Sequence, residues 1–131
     1  MSTNSSEQAR AQLEYIVELL EAYDTVKDDV ETLEKAEARI QENALSVEVR
    51  NGWRVAGTKC DDDPDEYRIC LCTGGPAVQI IGSLNIYGEP ETATLEHQDW
   101  GEQWEPFVAF SNDAEWSAPL KYARHFYYGD C

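Results

Sequence analysis

Three segments decide the fold of this chain: Tyr67-Arg68-Ile69-Cys70-Leu71-Cys72, the break Thr73-Gly74-Gly75-Pro76, and Ala77-Val78-Gln79-Ile80-Ile81-Gly82-Ser83-Leu84-Asn85-Ile86-Tyr87. In the first, Ile69, Leu71 and Thr73 alternate with Arg68, Cys70 and Cys72, a period of two that predicts a strand with both thiols on one face. The glycines and proline of the break tolerate a turn. The Ile- and Val-rich second run predicts another strand, ended by Gly88-Glu89-Pro90. From Thr92 to Asp99, the positions Ala93, Leu95, His97 and Asp99 alternate with Thr92, Thr94, Glu96 and Gln98. Consecutive strands joined by turn residues are the parts of an antiparallel meander.

Upstream, Leu45, Val47 and Val49 alternate with Ser46, Glu48 and Arg50 and predict a strand that stops at the turn dipeptide Asn51-Gly52. Trp53 and Val55 begin a returning strand. The acidic stretch Asp61-Asp62-Asp63-Pro64-Asp65-Glu66 has no large apolar residue to bury and reads as a loop. It lacks the ligand spacing and central glycine of a calcium-binding loop. Two readings stay open for it, a solvated loop and a contact for a basic partner.

Further upstream, Ser5 stands three residues before Gln8, a capping-box pattern, ahead of Leu13, Ile16, Val17, Leu20 and Tyr23 at helical spacing. A helix over about 6–23 follows, then a polar break from Asp24 to Asp29. A second apolar series, Val30, Leu33, Ala36, Ile40 and Ala44, predicts a second helix or the continuation of one kinked helix. Downstream, Phe107 to Phe110 reads as a short last strand, Ser111-Asn112-Asp113 as a turn, and Leu120, Ala123, Phe126 and Tyr127 as a closing helix after Pro119. The expectation is one α+β domain over residues 1–131. A helical pair (1–44) packs on a four- or five-stranded antiparallel sheet (45–131), closed by a short C-terminal helix.

Charge narrows the function. The 131 residues hold 26 acids against 10 bases, a formal net charge of −16. Acids outnumber bases in every third of the chain. Such a field repels nucleic acid and anionic membranes and draws in basic protein surfaces within about 8 to 10 Å. Direct phosphate contacts need lysine and arginine that this surface lacks. On the first helix, Glu7, Glu14, Glu18 and Glu21, and with them Asp28, fall in one sector, since steps of three, four and seven return near the same angle. A solvated face is one reading of that row. The other is a ladder of carboxylates rising about 5 to 6 Å per turn, close to the spacing of phosphates along a nucleic-acid strand. The candidate partner-binding residues are therefore Glu14, Glu18 and Glu21 on the helix, Asp61, Asp62, Asp63, Asp65 and Glu66 in the loop, and two tryptophans. Trp100 and Trp104 sit among acids, one expected as a core anchor and the other as an exposed contact.

Cys60, Cys70, Cys72 and Cys131 follow a polar N-terminus without the apolar core of a signal peptide, which predicts reduced thiols in a cytosol. The pair Cys70/Cys72, with Cys60, His97 and His125, does not show the two close ligand pairs of a zinc site, and buried strand thiols are the reading adopted. No cofactor is predicted. The sequence contains no phosphate-binding glycine loop, dinucleotide fingerprint or nucleophile elbow. His97 and Asp99, two apart on one strand face, could form a base and its orienting carboxylate. An ordinary polar pair at a strand end is the reading adopted, and no enzyme is predicted.

The segment Cys72-Thr73-Gly74-Gly75-Pro76-Ala77-Val78, with Leu95-Glu96-His97-Gln98-Asp99-Trp100-Gly101 downstream, resembles small uncharacterised proteins carried by phages and integrated elements of pseudomonads, over roughly residues 30 to 128. The resemblance implies a context and no functional residues. Small acidic accessory proteins of mobile elements include inhibitors of host defence, the anti-CRISPR and antirestriction proteins, several of which are similar to DNA in charge. The partner so implied is a basic nucleic-acid-binding protein or complex, a type I CRISPR surveillance complex first and a restriction enzyme second. The alternative is a non-enzymatic regulatory or protein-binding module whose charge serves solubility.

Overall fold

In a computed structural model, which describes residues 5–26, 28–50, 65–73 and 75–128, the chain opens with helix α1 (Ser5–Thr25). Ala9, Leu13, Ile16, Leu19 and Leu20 are its buried apolar residues, the 3.6-residue stripe that the spacing predicts. Each buried Leu or Ile contributes about 1.5 to 3 kcal/mol. Helix α2 (Val30–Asn43) follows Asp29, whose backbone is extended. It buries only Ala36 and Ile40. The polar break at Asp24 to Asp29 thus separates two helices.

Among the described residues five strands follow: β1 (Ser46–Arg50), β2 (Glu66–Cys72), β3 (Ala77–Ser83), β4 (Thr94–Gln98) and β5 (Glu105–Pro106). They form one sheet in the order β1-β2-β3-β4-β5, every neighbouring pair antiparallel. The chain is α+β, as its patterning predicts. One row of the inner face joins Ile69, Ile80 and Leu95 across β2, β3 and β4. These pack with α1, with Ile40 of α2 and with Tyr122 of helix α3 (Asp113–Ala123) in one continuous core. Tyr128 closes it, its ring 5.0 Å from that of Tyr67 and its hydroxyl donating to the Ala123 carbonyl at 2.6 Å. The turn at Asn51-Gly52, the strand at Trp53 and Val55, Cys60, and Asp61, Asp62 and Asp63 lie outside the described residues.

Several expectations need correction. The register of β2 on β3 shifts between Cys70 and Cys72, setting Cys70 opposite Gln79 and Cys72 opposite Val78. The irregularity breaks the period of two, so the thiols part: Cys70 lines the outer face and Cys72 packs against the core. Burial pushes both thiols up from their ordinary value, which keeps them protonated and unreactive near neutral pH. The second run stops at Ser83 instead of Tyr87. Leu84 bridges Pro90, and between them Asn85 Oδ1 accepts from the Tyr87 and Glu89 backbone N–H groups, closing a turn that Gly88 enters at φ 76°.

The last strand pairs at Glu105–Pro106, two residues before the predicted Phe107 to Phe110. Phe107 instead serves the core, while Val108 is exposed. The closing helix starts at Asp113 and carries Pro119 inside it. Its start is set by Asn112, whose side chain accepts from the Glu115 N–H, a cap that the sequence holds in plain view ahead of the proline. Glu115 reaches back to accept from the Ser111 N–H at 2.8 Å and from Arg10 Nη1 of α1 at 2.5 Å. The Ser111 bond first, and Arg10 after it, hold the Glu115 carboxyl below the usual range, so the cap also ties α3 to α1.

Candidate functional site

On α1, Glu14, Glu18 and Glu21 are all exposed, and they lie on the side of the helix directly opposite the buried row. At 1.5 Å of rise per residue, they are spaced about 6 and 4.5 Å along the axis. None of the three makes an ion pair among the described residues, and the last turn of α1 has no basic residue to offset them. The crest is held in place by the core behind it. Each like-charged pair one turn apart costs about 0.2 to 0.5 kcal/mol, a cost the fold tolerates easily.

The predicted loop residues are placed differently. Asp65 is exposed at the start of β2, and its N–H donates to the Arg50 carbonyl at 3.0 Å. Glu66 is not a free carboxylate: Arg50 lies opposite it on β1 and grips it with Nε at 3.1 Å and Nη2 at 3.3 Å. One step along, Glu48 and Arg68 pair in the same way at 2.8 Å. These cross-strand pairs lie on the outer face, away from the helices, with Gln79 donating to Glu96 at 2.8 Å beside them. The sequence holds the alternation of Glu48 with Arg50 and of Glu66 with Arg68, but only the strand register makes pairs of them.

That outer face is concave. A cleft of about 560 Å³ lies over its Arg50 and Glu66 end and another of about 680 Å³ over its Cys70 and Gln98 end; Glu48, Arg68, Gln79 and Trp104 line both. Trp100 walls the second. Neither tryptophan is a core anchor: Trp100 is 85% exposed and Trp104 36%. Trp100 rides on a turn fixed by the Glu102 N–H on the Asp99 carbonyl, by Gly101 at φ 77°, and by Gln98 Nε2 donating to the Glu102 carbonyl at 2.7 Å. The apolar anchoring expected of one tryptophan falls to Phe107, which stacks edge-on against His97 and Phe110.

His97 and Asp99 do meet a hydroxyl, that of Ser5 at the start of α1. The Ser5 N–H donates to Asp99 Oδ1 at 2.8 Å, its hydroxyl donates to Asp99 Oδ2 at 2.9 Å, and His97 Nδ1 lies 2.9 Å from the serine Oγ. Ser5 is 1% exposed, and none of the three residues lines any of the clefts described. Both partners converge on the serine, so the carboxylate does not orient the imidazole as a relay requires. The arrangement caps a helix from a distance of more than ninety residues, a role the local Ser5 and Gln8 pattern cannot reveal. Asp99→Ala strands the Ser5 N–H in a buried setting, leaves the hydroxyl to His97 alone, and is expected to cost about 1 to 3 kcal/mol. Urea unfolding checks this, and a midpoint equal to that of the unaltered protein would contradict it.

His125, after α3, meets Glu37 of α2 at 2.6 Å and turns its ring edge to Tyr23 of α1 at 4.6 Å, while its carbonyl accepts from Gln41. It joins the three helices at one point, which suits the small buried area of α2. Among the described residues no group of three or more His, Cys, Asp or Glu is arranged to hold a metal, and no helix is long and apolar enough to cross a membrane. No protein-family model, curated protein or solved structure matches this chain.

Proposed function

We propose that this protein is an acidic inhibitor of a host defence complex that targets nucleic acid, entering a basic channel in place of DNA. A type I CRISPR surveillance complex is the first choice of target and a restriction enzyme the second. The observation that carries the reading is the unpaired crest of Glu14, Glu18 and Glu21, backed by a rigid core and set in a chain of net charge −16. The crest steers encounter with lysines and arginines and pairs with them. Three exposed ion pairs, each worth about 0.2 to 1 kcal/mol, do not supply tight binding alone. The long-range field and further acids of a channel-filling surface supply the rest.

Reversing Glu14, Glu18 and Glu21 to lysine is the test, read as displacement of DNA from the purified complex. The unaltered protein is expected to displace DNA at about 50 mM salt and to lose most of that effect at about 200 mM. The triple variant keeps the fold, because its changes are exposed, and loses displacement. Undiminished displacement by the triple variant would remove α1 from the contact surface, and no displacement at low salt would sink the inhibitor reading. A second reading, a protein-binding module whose charge serves solubility, is favoured by Trp100 and Trp104, which stand exposed on the face opposite the crest.

A further inference from the structure

Helices α1 and α3 pack on the inner face of the sheet and α2 packs on α1, so the crest of α1 and the outer face look in opposite directions. One flat partner surface cannot touch Glu14 and Trp100 together. The geometry points to the outer face as a second docking surface, a trough that takes an extended, arginine-bearing segment of a partner protein. The inference is independent of the reading above, because the trough binds whether or not the crest occupies a nucleic-acid channel.

Three observations specify the occupant. The first is shape. The two clefts adjoin, sharing Glu48, Arg68, Gln79 and Trp104 as walls, and lie along β2, whose seven residues extend for about 23 Å at ~3.3 Å each. An extended segment of similar length fits, with every second side chain directed into the sheet. The second is charge. Arg50 and Arg68 are both held by carboxylates in the plane of the face, while Glu96 receives one bond from Gln79 at Oε1 and its second oxygen has no partner among the described residues. With the chain at −16, an acidic segment or a nucleic acid is repelled and a basic one drawn in. The third is the pair of exposed indoles. A guanidinium stacks on an indole face and can pair with a carboxylate beside it, and the turn that carries Trp100 is already fixed, so little order is lost on binding.

The test is fluorescence anisotropy of a labelled synthetic peptide alternating arginine with serine, at about 0.15 M salt. The full chain is expected to bind it, and the double variant Trp100→Ala/Trp104→Ala to bind about tenfold more weakly. Trp104→Phe, which keeps a ring, retains most of the affinity and separates loss of the surface from loss of the fold. Glu14→Gln/Glu18→Gln/Glu21→Gln stays within about twofold. Four outcomes overturn the inference: equal binding by the double tryptophan variant; loss of binding in the crest variant; equal binding of a peptide with glutamine for arginine; and a dimeric mass in light scattering that Trp100→Ala halves, which would make a second copy the occupant. DNA displacement by the crest is a separate measurement, so either idea can fail alone.

Discussion

Gly82→Ala is expected to lower the stability of the protein by about 3 kcal/mol, the upper part of the range for over-packing. A methyl group at this position would lie 2.0 Å from the Thr92 carbonyl oxygen, 2.7 Å from its carbon and 2.8 Å from Tyr67 Cε1. Two of those three atoms are backbone, and they have nowhere to go. The Tyr67 hydroxyl donates to the same Thr92 oxygen at 2.6 Å, Thr92 Oγ1 accepts from the Ser83 N–H, and Glu91 N–H donates to the Ser83 carbonyl. The 91–92 segment is therefore pinned on both sides of the clash. Relief requires either the loss of the Tyr67 bond or the opening of the pairing between Gly82 and Tyr67. Against a total stability of about 5 to 15 kcal/mol this is a large fraction. The measurement is the midpoint of urea unfolding, with Gly88→Ala for comparison. At Gly88 nothing lies within 4 Å of the added carbon and only the backbone at φ 76° is strained, so about 1 to 2 kcal/mol is expected. An unchanged midpoint for Gly82→Ala would show that the Thr92 segment yields, contrary to its bonding.

Gly82 also marks where reading the sequence alone stops. Inside an apolar run it signals neither turn nor bulge, and its meaning comes from a segment ten residues later that crosses over it. The same holds for Ser5, whose partners lie on β4. What depends on period was legible: the stripe of Leu13, Ile16 and Leu20, the alternation of Ile69 and Leu71 with Arg68 and Cys70, and the row of Glu14, Glu18 and Glu21. What depends on register was not. The parting of Cys70 from Cys72 needs the shift against β3, and the pairing of Glu66 with Arg50 needs β1 laid on β2. Pro119 misled by its own propensity, since proline favours the first turn of a helix, yet Asn112 starts α3 seven residues earlier. The tryptophans were misjudged on size alone. Phe107 was better placed to fill the core because it follows β5 with its ring under Arg10 of α1, whereas Trp100, within the 99–102 turn, and Trp104, after it, line the outer face.

Raising the pH is expected to unfold the protein between about pH 10 and pH 12, through three tyrosines. Tyr67, Tyr122 and Tyr128 are each 3% exposed or less. Their hydroxyls donate to the carbonyls of Thr92, Ile40 and Ala123. Burial pushes all three phenols up, Tyr122 to about 12, and Arg124 only partly opposes this at Tyr67. In the unfolded chain a tyrosine loses its proton near pH 10. A group with a raised folded value contributes its stability fully below the unfolded value and loses it as pH climbs towards the folded one. Above pH 10 the native state thus binds more protons than the unfolded state, and stability falls. At pH 12 the two-unit difference at Tyr122 amounts to about 3 kcal/mol, and Tyr67 and Tyr128 act in the same direction. Together they rival the whole stability of a small domain, while each new phenolate adds to the repulsion of a chain already at −16. Far-ultraviolet circular dichroism should therefore fall together with the rise of tyrosinate absorbance from the buried set, in one cooperative step. Tyr128→Phe removes one of the three groups and should move the transition to higher pH, even though it loses the bond to Ala123. Native dichroism at pH 12 with all tyrosines ionised would mean that water reaches these hydroxyls, and the closure of the core by Tyr128 over Tyr67 would have to be given up.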